Sequence, residues 1–256
     1  MRFSRHEIVA ASADLLDSPA YRYRRILFPA LAGALAPDGG RALVWSLLAV
    51  SLAGVALGAS ATTRLPGAPR WLPLAVGLSP GVGVACALSL ADALATGLAL
   101  AAVAAAVRRR WAWMLVALVA AALTRETLLL VALGLACGPG MGRRLRVATV
   151  AAPAVALGAW ALWSTEQIGR SAAEGAGQVS LPLLGWLTST SRAPGLALGL
   201  GLIVLVGLGA VRAWDRHRGV SVVLALHAAL LLCLADDVTG SWVNTTRVAA
   251  PVTALA

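Results

Sequence analysis

The sequence predicts an all-α fold, a polytopic transmembrane helical bundle with a short broken hairpin at 111–138 and interfacial helices in its outer loops. Three observations carry this. The 256 residues are 59% hydrophobic and 12% charged, with a mean hydropathy of +0.82, and so apolar a chain has more nonpolar surface than one water-soluble core can hide. Apolar runs of bilayer length recur along it. The basic residues are all Arg, with no Lys, and fall in short clusters between those runs. The net charge of +10 is thus distributed as membrane orientation requires, and a nucleic-acid partner is excluded by that pattern.

Taken in order, residues 1–41 form an outer juxtamembrane segment, and Met1–Arg25 holds no apolar core of signal-peptide length. Runs at 42–61, 89–107, 147–163, 196–213 and 219–235 are closed by Arg, Gly, Pro or Asp and read as crossings. The run 72–88 is interrupted by Ser79-Pro80-Gly81, a break tolerable at membrane depth only where protein or a wet cavity satisfies the freed backbone groups. Residues 165–195 form an outer loop, in which Leu181–Leu187 reads as a lid at the membrane surface or as a passive connector. Residues 236–256 are an outer loop and the start of a further span. The whole of 1–256 is therefore one transmembrane domain, with its bundle at 42–235. Because the chain opens outside without a preceding span and stops inside an apolar stretch, it is expected to be a late start or a fragment.

The run 111–138 carries the polar tetrad Thr124-Arg125-Glu126-Thr127 at its middle. A single straight helix would hold that charge pair in lipid. Each half spans about 13 residues, roughly 20 Å of helix against a hydrocarbon core of about 30 Å. The predicted form is a hairpin that enters, turns at the tetrad within protein or cavity, and returns.

Orientation follows from Arg108-Arg109-Arg110, from Arg143, Arg144 and Arg146, and from Arg212, Arg216 and Arg218, which mark cytoplasmic loops together with Arg64 and Arg70. Trp45, Trp160, Trp163 and Trp242 then sit near outer ends, and Trp111, Trp113 and Trp214 near inner ends, as an aromatic belt does. On this topology Asp14, Asp17, Arg22, Arg24, Arg25, Asp92, Arg125, Glu126, Asp236, Asp237 and Arg247 gather at the outer face or in the membrane near it. Ionisable groups at that depth are costly and mark a pathway or a site.

Each group also has a plain reading. Ser18 and Pro19 resemble an N-cap and first helical residue, which places Arg22 and Arg25 on one helical face. There they bind phosphate through bidentate contacts or snorkel to lipid headgroups beside Tyr21 and Tyr23. Asp92, three residues after Ser89, reads as part of a helix cap or as a cavity-wall acid that orients hydroxyls. Arg125 and Glu126 are a self-neutralising pair at a turn, or site residues. Asp236 and Asp237 read as a solvated loop end. His227 reads as a packed, hydrogen-bonded histidine. Asn244-Thr245-Thr246 is a short match to a glycosylation acceptor. Cys86, Cys137 and Cys233 lie far apart in apolar stretches and read as small packed hydrophobes, without disulfide or zinc spacing.

The ordered set Tyr21-Arg22-Tyr23-Arg24-Arg25-Ile26-Leu27-Phe28-Pro29, Leu78-Ser79-Pro80-Gly81, Asp92 opening a span, Leu123-Thr124-Arg125-Glu126-Thr127, and Arg247 with Pro251 resembles bacterial multi-pass glycosyltransferases of the GT-C class, in particular mannosyltransferase-like enzymes that use polyprenol-phosphate sugars. The resemblance implies inverting transfer of a sugar from a polyprenyl-phosphate donor to a cell-envelope glycan or lipid acceptor at the extracytoplasmic face. It implies substrate binding by Tyr21, Arg22, Arg24, Arg25, Arg125 and Arg247, with Asp92 and Glu126 shaping the sugar pocket. The class carries its principal acid just after a first transmembrane helix, and none is read before Met1 of this sequence; of the nearby acids Glu7, Asp14 and Asp17, the favoured candidates for the catalytic base are Glu7 and Asp14. The sequence specifies neither the sugar nor a divalent metal requirement. A transporter or flippase of a lipid-linked or anionic substrate is the second reading, since it too needs broken helices and polar groups at a cavity. A noncatalytic assembly subunit is the third.

Overall fold

The computed structural model describes residues 25–168, 193–214, 217–234 and 242–253, and among them the ordered elements are helices. They are α1 (Leu27–Leu35), α2 (Gly40–Thr62), α3 (Leu72–Leu78), α4 (Pro80–Ala87), α5 (Asp92–Val107), α6 (Trp111–Thr124), a 3-10 turn (Glu126–Leu128), α7 (Leu129–Ala136), α8 (Arg143–Ile168), α9 (Ala193–Ala213), α10 (Arg218–Leu232) and α11 (Trp242–Thr253). Two of them, Gly40–Thr62 and Arg143–Gln167, are long and apolar enough to cross a membrane.

The breaks fall where local chemistry puts them. Ser79 adopts an extended backbone (ψ 127°) ahead of Pro80, so the run 72–88 divides into α3 and α4 there. Ser89 takes a left-handed conformation (φ 51°), and the Leu90 amide reaches back to the Ala85 carbonyl at 2.7 Å. That is a Schellman closure of α4. It corrects the reading of Ser89 as a partner in capping the next helix: Ser89 ends α4, and α5 begins at Asp92 without a side-chain cap. Arg109 (φ 56°) closes α5 in the same way, the Arg110 amide bonding Ala105 O at 2.8 Å.

Helices approach closely where side chains vanish. A Cβ on Gly54 of α2 would stand 2.6 Å from the Leu94 amide nitrogen of α5, and one on Gly58 would stand 3.3 Å from Gly97 Cα. Small residues four apart on α2 thus let its backbone lie directly on α5, the packing mode that serves helices lacking a hydrophobic drive between them. α7 meets α10 at Gly134 and Val223, and α4 meets α11 at Gly81 and Thr246. The central core runs through α5, α6, α7, α9, α10 and α11, with Met114, Leu118, Leu128, Leu224 and Leu231 among its largest sealed side chains, while Leu100 packs with Ala61 and Val76 in a separate cluster between α2, α3 and α5.

α1 is docked, not loose: Phe28 and Ala32 are buried against Val50 and Leu94, and Ser46 Oγ donates to Ala32 O at 2.9 Å. α11 is likewise built into the bundle, with Thr245, Thr246, Ala249 and Ala250 buried against α4 and α5. The Asn244-Thr245-Thr246 triplet therefore lies in a packed helix, not in a glycosylatable loop. Cys137 is exposed, which corrects its reading as a packed hydrophobe.

The arginine loops share one end of the bundle. Arg108 Nε donates to Arg64 O at 3.2 Å, Arg109 lies against Gly140, and Arg146 Nη2 donates to Gly138 O at 3.4 Å. A small cavity of about 190 Å³ joins Arg109, Gly138, Pro139, His217 and Gly219. The start of α6 and the end of α7 are thus returned to the same end, as the predicted hairpin requires. Its two legs are splayed, however, and α8 packs against both of them. Large apolar side chains are exposed on the outside as well, including Trp45 (69%), Leu78 (80%) and Leu162 (70%).

Gly54→Val is expected to force α2 off α5 and lower stability by about 1–3 kcal/mol, whereas Gly33→Ala, with open space around its Cβ, is expected to be neutral. Thermal unfolding in detergent followed by circular dichroism checks both.

Candidate functional site

The site grows from the break after α6. Thr124 bonds its hydroxyl to Ala120 O at 2.7 Å and ends the helix. Arg125 then goes extended (φ −157°, ψ 121°), while its amide still bonds Ala121 O and its carbonyl accepts from Leu128 at 3.1 Å. One extended residue between a helix and a 3-10 turn throws the side chains of 125 and 126 in different directions. Their partners differ accordingly.

Arg125 is paired through Nη1 with Asp92 Oδ1 at the first position of α5, and both side chains are nearly sealed, 7% and 2% exposed. Glu126 pairs instead with Arg25, which approaches with Nη2 at 3.0 Å from Oε1 and Nε at 3.4 Å from Oε2. This outer pair is 20% and 22% exposed. The reading of Arg125 and Glu126 as a self-neutralising pair is therefore corrected: each charge is neutralised by a residue distant in sequence. Asp92, read as part of a helix cap, stands at the first position of α5, one residue past the N-cap Ala91, and its carboxylate faces Arg125.

The result is a graded polar chain, from Arg25 and Glu126 at a partly open position to Arg125 and Asp92 in the interior. At a helical rise of 1.5 Å per residue, Asp92 stands about 24 Å along α5 from Arg108. The site and the arginine loops are thus at opposite ends.

Two further polar groups lie deeper. Thr96, one turn beyond Asp92 on the same face of α5, is 1% exposed, and its hydroxyl has no hydrogen-bond partner among the described residues. His227 is 2% exposed; its Nδ1 lies 2.9 Å from Val223 O, so that nitrogen carries the proton and Nε2 is left as an acceptor with no partner among the described residues. Leu224 and Leu231, on its face of α10, pack into the core shared with Ala95, Ala99 and Leu128. The expected hydrogen-bonded packing role of His227 accounts for one ring nitrogen and not the other. Thr96 is the residue that sequence reasoning passed over; its offset of four from Asp92 was the available signal.

Of the other sequence-predicted site residues, Glu7, Asp14, Asp17, Tyr21, Arg22, Arg24, Asp236 and Asp237 lie outside the described residues. Arg247 lies on α11, the helix that packs along α4 and α5. Among the described residues no cluster of His, Cys, Asp and Glu is arranged to hold a metal ion. Comparison with protein-family models, with curated proteins and with solved structures finds no match to this chain.

Removing one member of the sealed pair leaves the other charge buried and uncompensated, a loss of about 3–5 kcal/mol. Arg125→Met and Asp92→Leu are each expected to destabilise the protein by that order, and the double variant by less than either single one. A double-mutant cycle on detergent unfolding measures the coupling, and additive losses would contradict it.

Proposed function

We propose that the chain is a multi-pass membrane glycosyltransferase that moves a sugar from a polyprenyl-phosphate donor to a cell-envelope acceptor at the extracytoplasmic face. The observation that carries the reading is the ion pair of Arg25 with Glu126. It brings Arg25 to Glu126 of the 124–127 turn across 101 residues of chain, so that single residues from two separate pieces of the GT-C resemblance meet at one partly open position. The membrane setting is supported by the two long apolar helices, by the outward-facing large apolar side chains and by the collection of Arg64, Arg108–Arg110 and Arg143–Arg146 at one end.

The chemistry asks little of the protein. The acceptor hydroxyl oxygen attacks the anomeric carbon of the donor, the bond from that carbon to the phosphate oxygen breaks, and the polyprenyl phosphate leaves with the electron pair. The hydroxyl proton passes to a carboxylate, for which Glu7 and Asp14 are the candidates. Arg25, with Arg22 and Arg24, stabilises the charge gathering on the departing phosphate. An arriving phosphate competes with Glu126 for Arg25, which leaves the Glu126 carboxylate to accept from sugar hydroxyls. The sealed Asp92–Arg125 pair positions this turn, and Arg247 is a further cation toward the donor.

Membranes containing the chain, supplied with a radiolabelled polyprenyl-phosphate sugar and envelope acceptors, are expected to transfer label. Arg25→Ala is expected to reduce the rate roughly 10²-fold, the scale of one charge-stabilising donor, while Arg70→Ala at the opposite end leaves it unchanged. Absence of transfer by the full-length protein rejects the enzyme in favour of a carrier or an assembly subunit.

Sidedness has its own check in the exposed thiol of Cys137, beside Gly138 at the arginine end. With Cys86 and Cys233 replaced by Ser, a membrane-impermeant maleimide is expected to spare Cys137 in intact cells and label it in inside-out vesicles. The reverse pattern overturns the orientation.

A further inference from the structure

A second feature lies at the arginine end, away from the site. α2, α5 and α6 enclose a groove of about 640 Å³ whose walls are apolar, formed by residues such as Leu57, Leu98, Val116 and Ala120. Among the described residues its lining carries three charged ones, Arg64, Arg108 and Arg110, and no acidic one. The bond from Arg108 Nε to the Arg64 carbonyl fixes two of these arginines against each other at the mouth. The left-handed Arg109 between Arg108 and Arg110 turns to Gly140 and lines the other cavity, so the cluster is divided between two faces by one strained residue. Trp113, 67% exposed, stands on the groove's lining.

The dimensions match a lipid in one leaflet. From Arg108 to Leu98 the groove follows α5 for about 15 Å, half of a hydrocarbon core of about 30 Å. A purely apolar groove would accept any acyl chain. Three arginines on its lining, with no carboxylate among the described lining residues, favour an anion there, and Arg recognises phosphate oxygens through paired N–H donors.

We infer that this groove is a binding site for one anionic phospholipid of the surrounding membrane, its phosphate held by Arg64, Arg108 and Arg110 and an acyl chain lying between α2, α5 and α6. The inference rests on the membrane reading above and not on sugar transfer. The site is on the side of the arginine loops, so a lipid bound there ties those loops to the leaflet and fills the space between three helices.

The full chain in phosphatidylcholine nanodiscs, titrated with phosphatidylglycerol and read by native mass spectrometry, tests it. The unmodified protein is expected to retain phosphatidylglycerol over phosphatidylcholine. Arg108→Gln with Arg110→Gln is expected to weaken that retention roughly tenfold or more, while Arg143→Gln with Arg144→Gln, the same charge removed from the same end, leaves it within about twofold. Ala120→Phe, which fills the deep part of the groove without changing charge, is expected to weaken it as well. Equal loss in the two double variants, indifference to Ala120→Phe, or retention of polyprenyl phosphate in place of phosphatidylglycerol would each overturn the site. Release of the protein from cell membranes by alkaline carbonate overturns the membrane reading itself, which separates that failure from failure of the groove.

Discussion

The Asp92–Arg125 ion pair ties the first residue of α5 to the single extended residue that separates α6 from α7, and the arrangement of the site depends on it. An isolated charge in so sealed a place costs several kcal/mol, and the penalty falls only when an opposite charge arrives with good geometry. The break after Thr124 and the start of α5 at Asp92 therefore constrain one another. Neither charge tolerates a structure in which the other is elsewhere. With Arg125 held inward, the next residue is turned outward, and Glu126 meets Arg25 where water still reaches both side chains. The inner pair fixes the turn; the outer pair remains partly solvated.

This placement is possible because the helices carrying it approach closely. Asp92 sits two residues before Leu94, whose backbone lies directly on Gly54. α1, which follows Arg25, is held on α2 by Ser46 and packs Phe28 against Leu94. Glycine contacts therefore bring α2 and α5 together, α1 rides on α2, and Arg25 is delivered to Glu126. At the other end the loops are short and arginine-rich, and they contact one another through backbone carbonyls. Guanidinium groups that bond carbonyls keep their full charge, and that end remains strongly cationic. Among the described residues the two ends of the bundle thus differ in kind: ion pairs at one, arginines bonded to backbone carbonyls at the other.

Much of the helical organisation was legible in the sequence because its signals are local. The interruption at Ser79-Pro80, the long apolar runs that became α2 and α8, and the turn at Thr124–Thr127 follow from proline geometry, hydropathy and the cost of placing charges in apolar surroundings. The candidate site was legible as a set of residues and not as a set of contacts. Arg125 and Glu126 are adjacent, and adjacency suggested that they neutralise each other. Asp92 follows Ser89 at capping distance, and that spacing suggested a cap. Both local readings lost to longer-range partners, since an extended residue at 125 and a left-handed residue at 89 aim these groups elsewhere. Thr96 and the second nitrogen of His227 carried no local signal beyond their helical offsets.

The sequence by itself determined that the chain is helical, where several helices break, and that its arginines cluster between apolar runs, because each of these is set by a residue and its near neighbours. Only the tertiary structure decided which charge faces which, and that an apolar groove opens beside three of those arginines. Those outcomes depend on contacts made across tens of residues, where desolvation and close packing, not spacing along the chain, select the partner.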